Sequence, residues 1–125
     1  MIHLDTNFLI RIAVPASKED LRLRQWLRSG MPVATSAVCW AEFLCGPVTG
    51  NQIASLGRAI GEPVPFTVSS AHRAADLFNA SGRVRGTFVD CMIAATALEA
   101  GARLATRNVR DFTRFRSSGL QLEAV

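Results

Sequence analysis

The chain has 125 residues, enough for one domain (1–125) and no second, with 14 Lys and Arg against 10 Asp and Glu and an apolar fraction of 49%. That balance excludes a disordered chain, and its apolar runs fall far short of the ~20 residues a bilayer-spanning helix needs, so no membrane association is expected. With its 9 glycines added, the apolar share exceeds the ~45–50% of ordinary globular chains, which points to a buried subunit interface and hence to a homodimer.

In chain order, Met1 to Leu4 is a short apolar run ending at Asp5 and reads as a first strand. Asn7 to Val14 reads as a helix stopped by Pro15, and Glu19 to Leu27 as a second, with Leu23, Trp26 and Leu27 on one face at i, i+3, i+4 and Gly30 closing it. Pro32 to Thr35 is the next strand, and Ser36 is placed to cap a helix from Ala37 to Cys45 that ends at Gly46-Pro47. Gln52 to Ile60 follows as a helix and Val64 to Thr67 as a strand. Ala71 to Asn79 reads as a helix with Ala71, Ala74, Ala75 and Phe78 inward, and Phe88 to Ala100 as the longest apolar helix, ended by Gly101. Arg103 to Ala105 is a strand, Val109 to Phe115 a short helix and Leu120 to Glu123 a last strand. Strands alternating with helices, without tight hairpin signals, predict an α/β fold: a three-layer α/β/α sandwich on a mostly parallel central sheet.

The three cysteines, Cys39, Cys45 and Cys91, are odd in number and lack C-x-x-C spacing, so buried thiols are expected rather than disulfides or zinc ligands. Met1 to Asp5 carries no basic start and an acid where a secretory leader would be apolar, which predicts a cytoplasmic protein. Thirteen of the 14 basic residues are Arg, whose planar fork matches phosphate, and the net charge is +4; both suit a nucleic-acid partner.

The acids are the informative residues. Asp5 is the only charged residue from Met1 to Ile10, Glu42 the only one from Ser29 to Gly57, and Asp90 the only one from Gly86 to Leu98. A lone carboxylate in an apolar segment is costly unless something cationic meets it. Local readings exist: Asp5 is placed to N-cap the first helix, and Thr87-Phe88-Val89-Asp90 fits a capping box. Glu42, in mid-helix, has no cap to satisfy. In a parallel sheet the strand ends and following helix starts gather at one edge, which brings Asp5, Glu42, Asp90 and Asp111 toward one crevice. Two ionised carboxylates ~4 Å apart repel by about 4 kcal/mol at an effective dielectric of 20. Four therefore call for a divalent cation or raised pKa values, and an all-oxygen site suits Mg²⁺ or Mn²⁺. Asp111 has a rival reading as a surface acid paired with Arg107, Arg110 or Arg114.

Four segments together resemble a known family. Leu4-Asp5-Thr6-Asn7, Ala41-Glu42-Phe43-Leu44-Cys45-Gly46, Asp90-Cys91-Met92-Ile93-Ala94-Ala95-Thr96-Ala97 with its later Gly101, and Leu104 to Phe112 with its Thr106, Asn108 and Asp111 are similar to the ordered motifs of the PIN-domain nucleases, and within them of the VapC-type toxins of toxin–antitoxin pairs. The resemblance spans the whole chain. It implies metal-dependent cleavage of RNA, a cognate antitoxin as partner, metal-site roles for Asp5, Glu42, Asp90 and Asp111, and supporting roles for Thr6, Asn7, Thr106 and Asn108. Cys91 and Phe43 depart from the more usual residues at their places without touching an acid. Arg83 and Arg85, just ahead of Asp90, are candidate phosphate contacts. Two alternatives stay open: a housekeeping RNA-processing nuclease of the same family without an antitoxin, and a catalytically silent PIN-like scaffold that only binds nucleic acid. A dinucleotide-binding domain is excluded because no G-x-G-x-x-G follows the first strand, and a phospho-receiver is disfavoured because Lys18 is the only lysine and precedes a helix.

Overall fold

The first strand, β1 (Ile2–Leu4), has all three side chains buried, as befits the centre of a sheet covered on both faces. In the computed structural model, which describes residues 1–125, it is followed by α1 (Thr6–Ile12), α2 (Lys18–Arg28), β2 (Val33–Thr35), α3 (Ala37–Leu44), α4 (Gly50–Ile60), α5 (Val68–Ala80), α6 (Phe88–Glu99), β3 (Arg103–Ala105), α7 (Val109–Phe112), a 3-10 turn (Thr113–Ser118) and β4 (Leu122–Glu123). The sheet order is β2-β1-β3-β4 and every pairing is parallel. No helix is long and apolar enough to cross a membrane.

Register does the positioning. Leu4 lies opposite Thr35 on β2 and Ala105 on β3. The next residue of each strand, Asp5, Ser36 and Thr106, therefore falls in one row at the carboxyl edge of the sheet. The connections β1-α1-α2-β2 and β3-α7-β4 run to opposite sides of β1, so right-handed crossovers put their helices on opposite faces. On one face α1 packs on α2 and α3; on the other α5 packs on α6 and on the 3-10 turn. The result is the three-layer α/β/α arrangement.

Caps set the helix starts. Ser17 accepts from the Asp20 amide at 3.1 Å and Ser36 from the Cys39 amide at 3.0 Å, while Thr49 with Gln52 and Thr67 with Ser70 form capping boxes. One core layer centres on Phe8, stacked on Trp26 at 5.7 Å, with Leu9, Leu23, Phe43 and Leu56; the opposite layer holds Leu77, Ile93, Phe112 and Phe115. Each fully buried side chain of this size contributes roughly 1.5–3 kcal/mol over its exposed state. α6 is buried nearly all round in its middle, where Ala94, Ala95 and Ala97 allow close approach to its neighbours.

Five local expectations need correction. Cys45, just past the end of α3, is an exposed thiol, and only Cys39 and Cys91 are buried. Val64 to Thr67 does not form a strand: it makes one parallel bridge, Ser36 to Val64, because Pro63 and Pro65 on either side of Val64 lack the donors to extend a ladder. Thr87 and Asp90 do not form a capping box, since the Thr87 hydroxyl donates to the Val84 carbonyl at 2.7 Å instead. Helix α7 ends at Phe112 and tightens into the 3-10 turn rather than reaching Phe115 as one α-helix. In α5 the inner face is Ser70, Ala74 and Leu77, and both Ala71 and Ala75 are exposed.

Candidate active site

Asp5 extends β1 by one residue, its amide donating to the Ala105 carbonyl at 2.9 Å, and then caps α1. Its carboxylate is 4% exposed. Oδ1 accepts from the Thr6 amide at 2.8 Å, and Oδ2 accepts from the Thr106 hydroxyl at 2.7 Å. Asp5 therefore does what its capping position predicts, and its second oxygen is held by Thr106 from the neighbouring strand. Burial raises its pKa, the hydrogen bonds from Thr106 and Thr6 oppose that rise, and the charge of Glu42 adds to it. Thr106 has no rotational freedom left, since its oxygen also accepts from the Asn108 amide at 2.9 Å.

Glu42 sits on α3, exposed, with Oε1 accepting from the Thr6 hydroxyl at 2.7 Å. Thr6 thus ties the first turn of α1 to α3 through the two acids, by its amide to Asp5 and its hydroxyl to Glu42. Asp90 lies half-buried in the first turn of α6. Its pKa is pushed up to about 6, first by burial and then by the charges of Asp5 and Asp111; Arg114 opposes the shift and Glu42 adds to it. Asp90 thus feels the charge of each of the other three acids named from sequence, and Asp5 that of Glu42.

Asp111, exposed on α7, makes none of the ion pairs its arginine neighbours invite. The ion pairs of the chain leave out Asp5, Glu42 and Asp90 as well. Arg107 turns to Glu19 at 3.3 Å, and Glu19, 1% exposed, also meets Arg11 at 3.8 Å. Sequence reasoning missed Glu19 because an acid in the first turn of a helix, beside Lys18, looks like an ordinary surface residue.

Thr6, Thr106 and Asn108 are in the hydrogen-bonded net, the last through its backbone, whereas Asn7 is exposed on α1 outside it. Arg83 has positive φ (54°), hydrogen-bonds Asn79 and lies over the Phe78 ring at 5.3 Å, so its guanidinium is already engaged; Arg85 is exposed. The Cys39 thiol is 3.8 Å from Asp5 Oδ1 and is pushed up to about 12, by burial and by the Asp5 charge. Burial also raises the Cys91 thiol. Neither is a ready thiolate ligand, and the donors of the four acids themselves are all oxygen. No three His, Cys, Asp or Glu side chains are already drawn together as a finished ligand cluster. Asp90 makes no ion pair, and beyond its burial it feels three neighbouring carboxylates against Arg114 alone; oxygen donors of this kind suit a hard divalent cation.

The sheet is all-parallel, with Asp5 and Thr106 bonded to each other at its carboxyl edge. The PIN domain family model matches residues 2–117, and the chain belongs to that family. Comparison with curated proteins finds no match. Among solved structures, the chain is similar to one of VapBC2 from Rickettsia felis bound to a promoter DNA fragment (22% identity, TM-score 0.75, 98% of each chain covered). It is similar also to FitAcB from Neisseria gonorrhoeae (24%, 0.71, 99% of this chain and 97% of that one). A third similar structure is VapBC-1 from nontypeable Haemophilus influenzae (24%, 0.70, 98% and 97%). At these identities the likeness is one of fold.

Proposed function

We propose that this protein is a divalent-metal-dependent ribonuclease, the toxin of a toxin–antitoxin pair, acting in the cytoplasm. The observation that carries the reading is Asp90: half-buried, unpaired with any cation, and within reach of three other carboxylates. Asp5 and Asp90 would hold Mg²⁺ or Mn²⁺, with Glu42 and Asp111 completing the site directly or through water. When bound, the ion lowers the pKa of a coordinated water and neutralises charge on the scissile phosphate.

The chain's own residues prepare that chemistry. The Thr106 hydroxyl and the Thr6 amide fix both oxygens of Asp5, and the Thr6 hydroxyl fixes Glu42. These bonds fix two of the four carboxylates before substrate arrives, which removes ordering cost from the reactive complex. Setting the four acids aside leaves 14 basic against 6 acidic residues, a surplus that attracts a polyanion to an acidic centre. Arg85 is free to contact phosphate; Arg83 would first have to leave Asn79.

An antitoxin partner is supported by the likeness to toxin–antitoxin complexes and by a groove of about 430 Å³ between α1, α2 and α4, lined by Ile12, Leu23, Leu27 and Leu56 with Asp20 and Arg24 among its polar members. Exposed Val84, Phe88 and Val89 near Asp90 support a homodimer. The test is cleavage of RNA with Mg²⁺ or Mn²⁺, with EDTA and Asp5→Asn as controls. Cleavage that survives both controls would overturn the reading.

A further inference from the structure

Glu19 occupies the second position of α2, yet its carboxylate is 1% exposed and neither oxygen accepts a hydrogen bond. A buried charge without hydrogen bonds persists only if cations compensate it. Two do: Arg107 Nε lies 3.3 Å from Oε1 and Arg11 Nε 3.8 Å from Oε2. Arg11 comes from the last turn of α1 and Arg107 from the turn between β3 and α7. The carboxylate therefore joins three separate segments.

Arg107 stands between two residues of the acidic edge. Thr106 before it donates to Asp5, and Asn108 after it donates its amide to Thr106. Whatever fixes Arg107 also fixes that pair. The direction of the side chain matters as well. Arg107 is four residues before Asp111 in sequence, and its guanidinium faces Glu19 rather than that acid. A guanidinium released beside exposed Asp111 would compete with a metal ion for the same oxygens.

We propose that Glu19 is a positioning residue of the acidic site: it anchors Arg107, so fixing the Thr106–Asn108 turn, and it holds that cation away from Asp111. The second half rests on the metal-site reading above; the first does not. Both halves are tested on the full chain with Glu19→Gln, Arg107→Gln and the double variant. Arg107 is 47% exposed, but its loss leaves the buried Glu19 carboxylate with Arg11 alone; the double variant removes the buried charge together with its partner and is the one that stands in should a single variant fail to fold.

Amide hydrogen exchange without metal reads the anchor. Exchange at Asn108 should accelerate about tenfold or more in both single variants while the α5–α6 core amides stay unchanged; unchanged Asn108 exchange overturns the proposal. Mn²⁺ binding by calorimetry reads the charge. Glu19→Gln should weaken it about tenfold, within the range usual for residues that support ligands, and adding Arg107→Gln should recover most of that loss. A double variant as weak as Glu19→Gln, or weaker, means a purely structural role and overturns the cation-exclusion half. If the wild-type protein binds no Mn²⁺ while Asn108 exchange still accelerates in the variants, the anchor stands and the metal-site reading falls.

Discussion

The Thr106 hydroxyl donates to Asp5 Oδ2 at 2.7 Å across 101 residues of sequence, joining the end of β3 to the end of β1. Because the same oxygen accepts from the Asn108 amide, this one bond orients the acid that begins α1 and the turn that leads to Asp111. Thr106→Val keeps the shape and removes both bonds. The expected cost is roughly 1–3 kcal/mol, the scale for leaving buried polar groups unpaired, together with about a 10–100-fold loss of cleavage. Thr106→Ser should restore most of both. Urea denaturation and cleavage assays on the two variants check this, and a Val variant as active as wild type removes Thr106 from the site.

Asp90→Asn should abolish cleavage and raise the melting temperature of the metal-free protein. The sign follows from linkage. The folded pKa, about 6, lies above the ordinary value of 3.8, so folding favours the protonated acid. That contribution is full below the unfolded pKa and is lost as pH rises through about 6. At neutral pH the ionised, half-exposed carboxylate therefore opposes folding by roughly 1–2 kcal/mol after allowance for solvent screening. Thermal melts at pH 7.5 should show the variant above wild type, and Mg²⁺ should stabilise wild type but not the variant. Loss of stability in Asp90→Asn would instead mark the acid as structural.

His3, in the middle of β1, gives a pH effect of opposite sign. It is 1% exposed with neither ring nitrogen hydrogen-bonded, and burial first, then the positive N-terminus, pushes its pKa down to about 4. The unfolded chain takes up this proton near pH 6.5, so stability falls as pH drops from about 6.5 toward 4, by roughly 3 kcal/mol over the whole interval. His3→Phe removes the titration. The difference in unfolding free energy between wild type and variant, measured by urea at several pH values, should change across that window and stay constant above pH 7.5. A constant difference throughout would show that His3 does not titrate anomalously.

Much of this architecture is legible in the residues. Short apolar runs bounded by Asp, Pro or Gly mark β1, β2 and β3, and the solitude of Asp5, Glu42 and Asp90 in apolar segments singles out three acids that make no ion pair. What escapes is what depends on partners distant in the chain. Val64 has strand-like chemistry, but its flanking prolines leave it one bridge. Ala71 and Ala75 look inward-facing because alanine is silent about burial, and the packing of α5 on α6 turns them outward. Arg107 looks like a partner for Asp111 by proximity in sequence, yet it pairs with Glu19, which lies 88 positions earlier.

The two exposed acids differ in how firmly they are held. Glu42 is held in place by the Thr6 hydroxyl, whereas Asp111 makes no ion pair and lies exposed on a helix of 4 residues. Both are open to a cation, but immobilising a free side chain costs entropy that the held one has already lost. Glu42→Gln preserves the oxygen that accepts from Thr6, so any effect reports the lost charge, and amides bind hard cations more weakly than carboxylates. Glu42→Gln should therefore weaken Mn²⁺ binding and cleavage more than Asp111→Asn does, with Asp111→Asn falling in the 10–100-fold range of a supporting group. Metal titrations of cleavage with the two variants side by side decide the order. If Asp111→Asn is as inactive as Asp90→Asn at saturating metal, Asp111 is a direct ligand and the entropy of its exposed side chain is not what limits it.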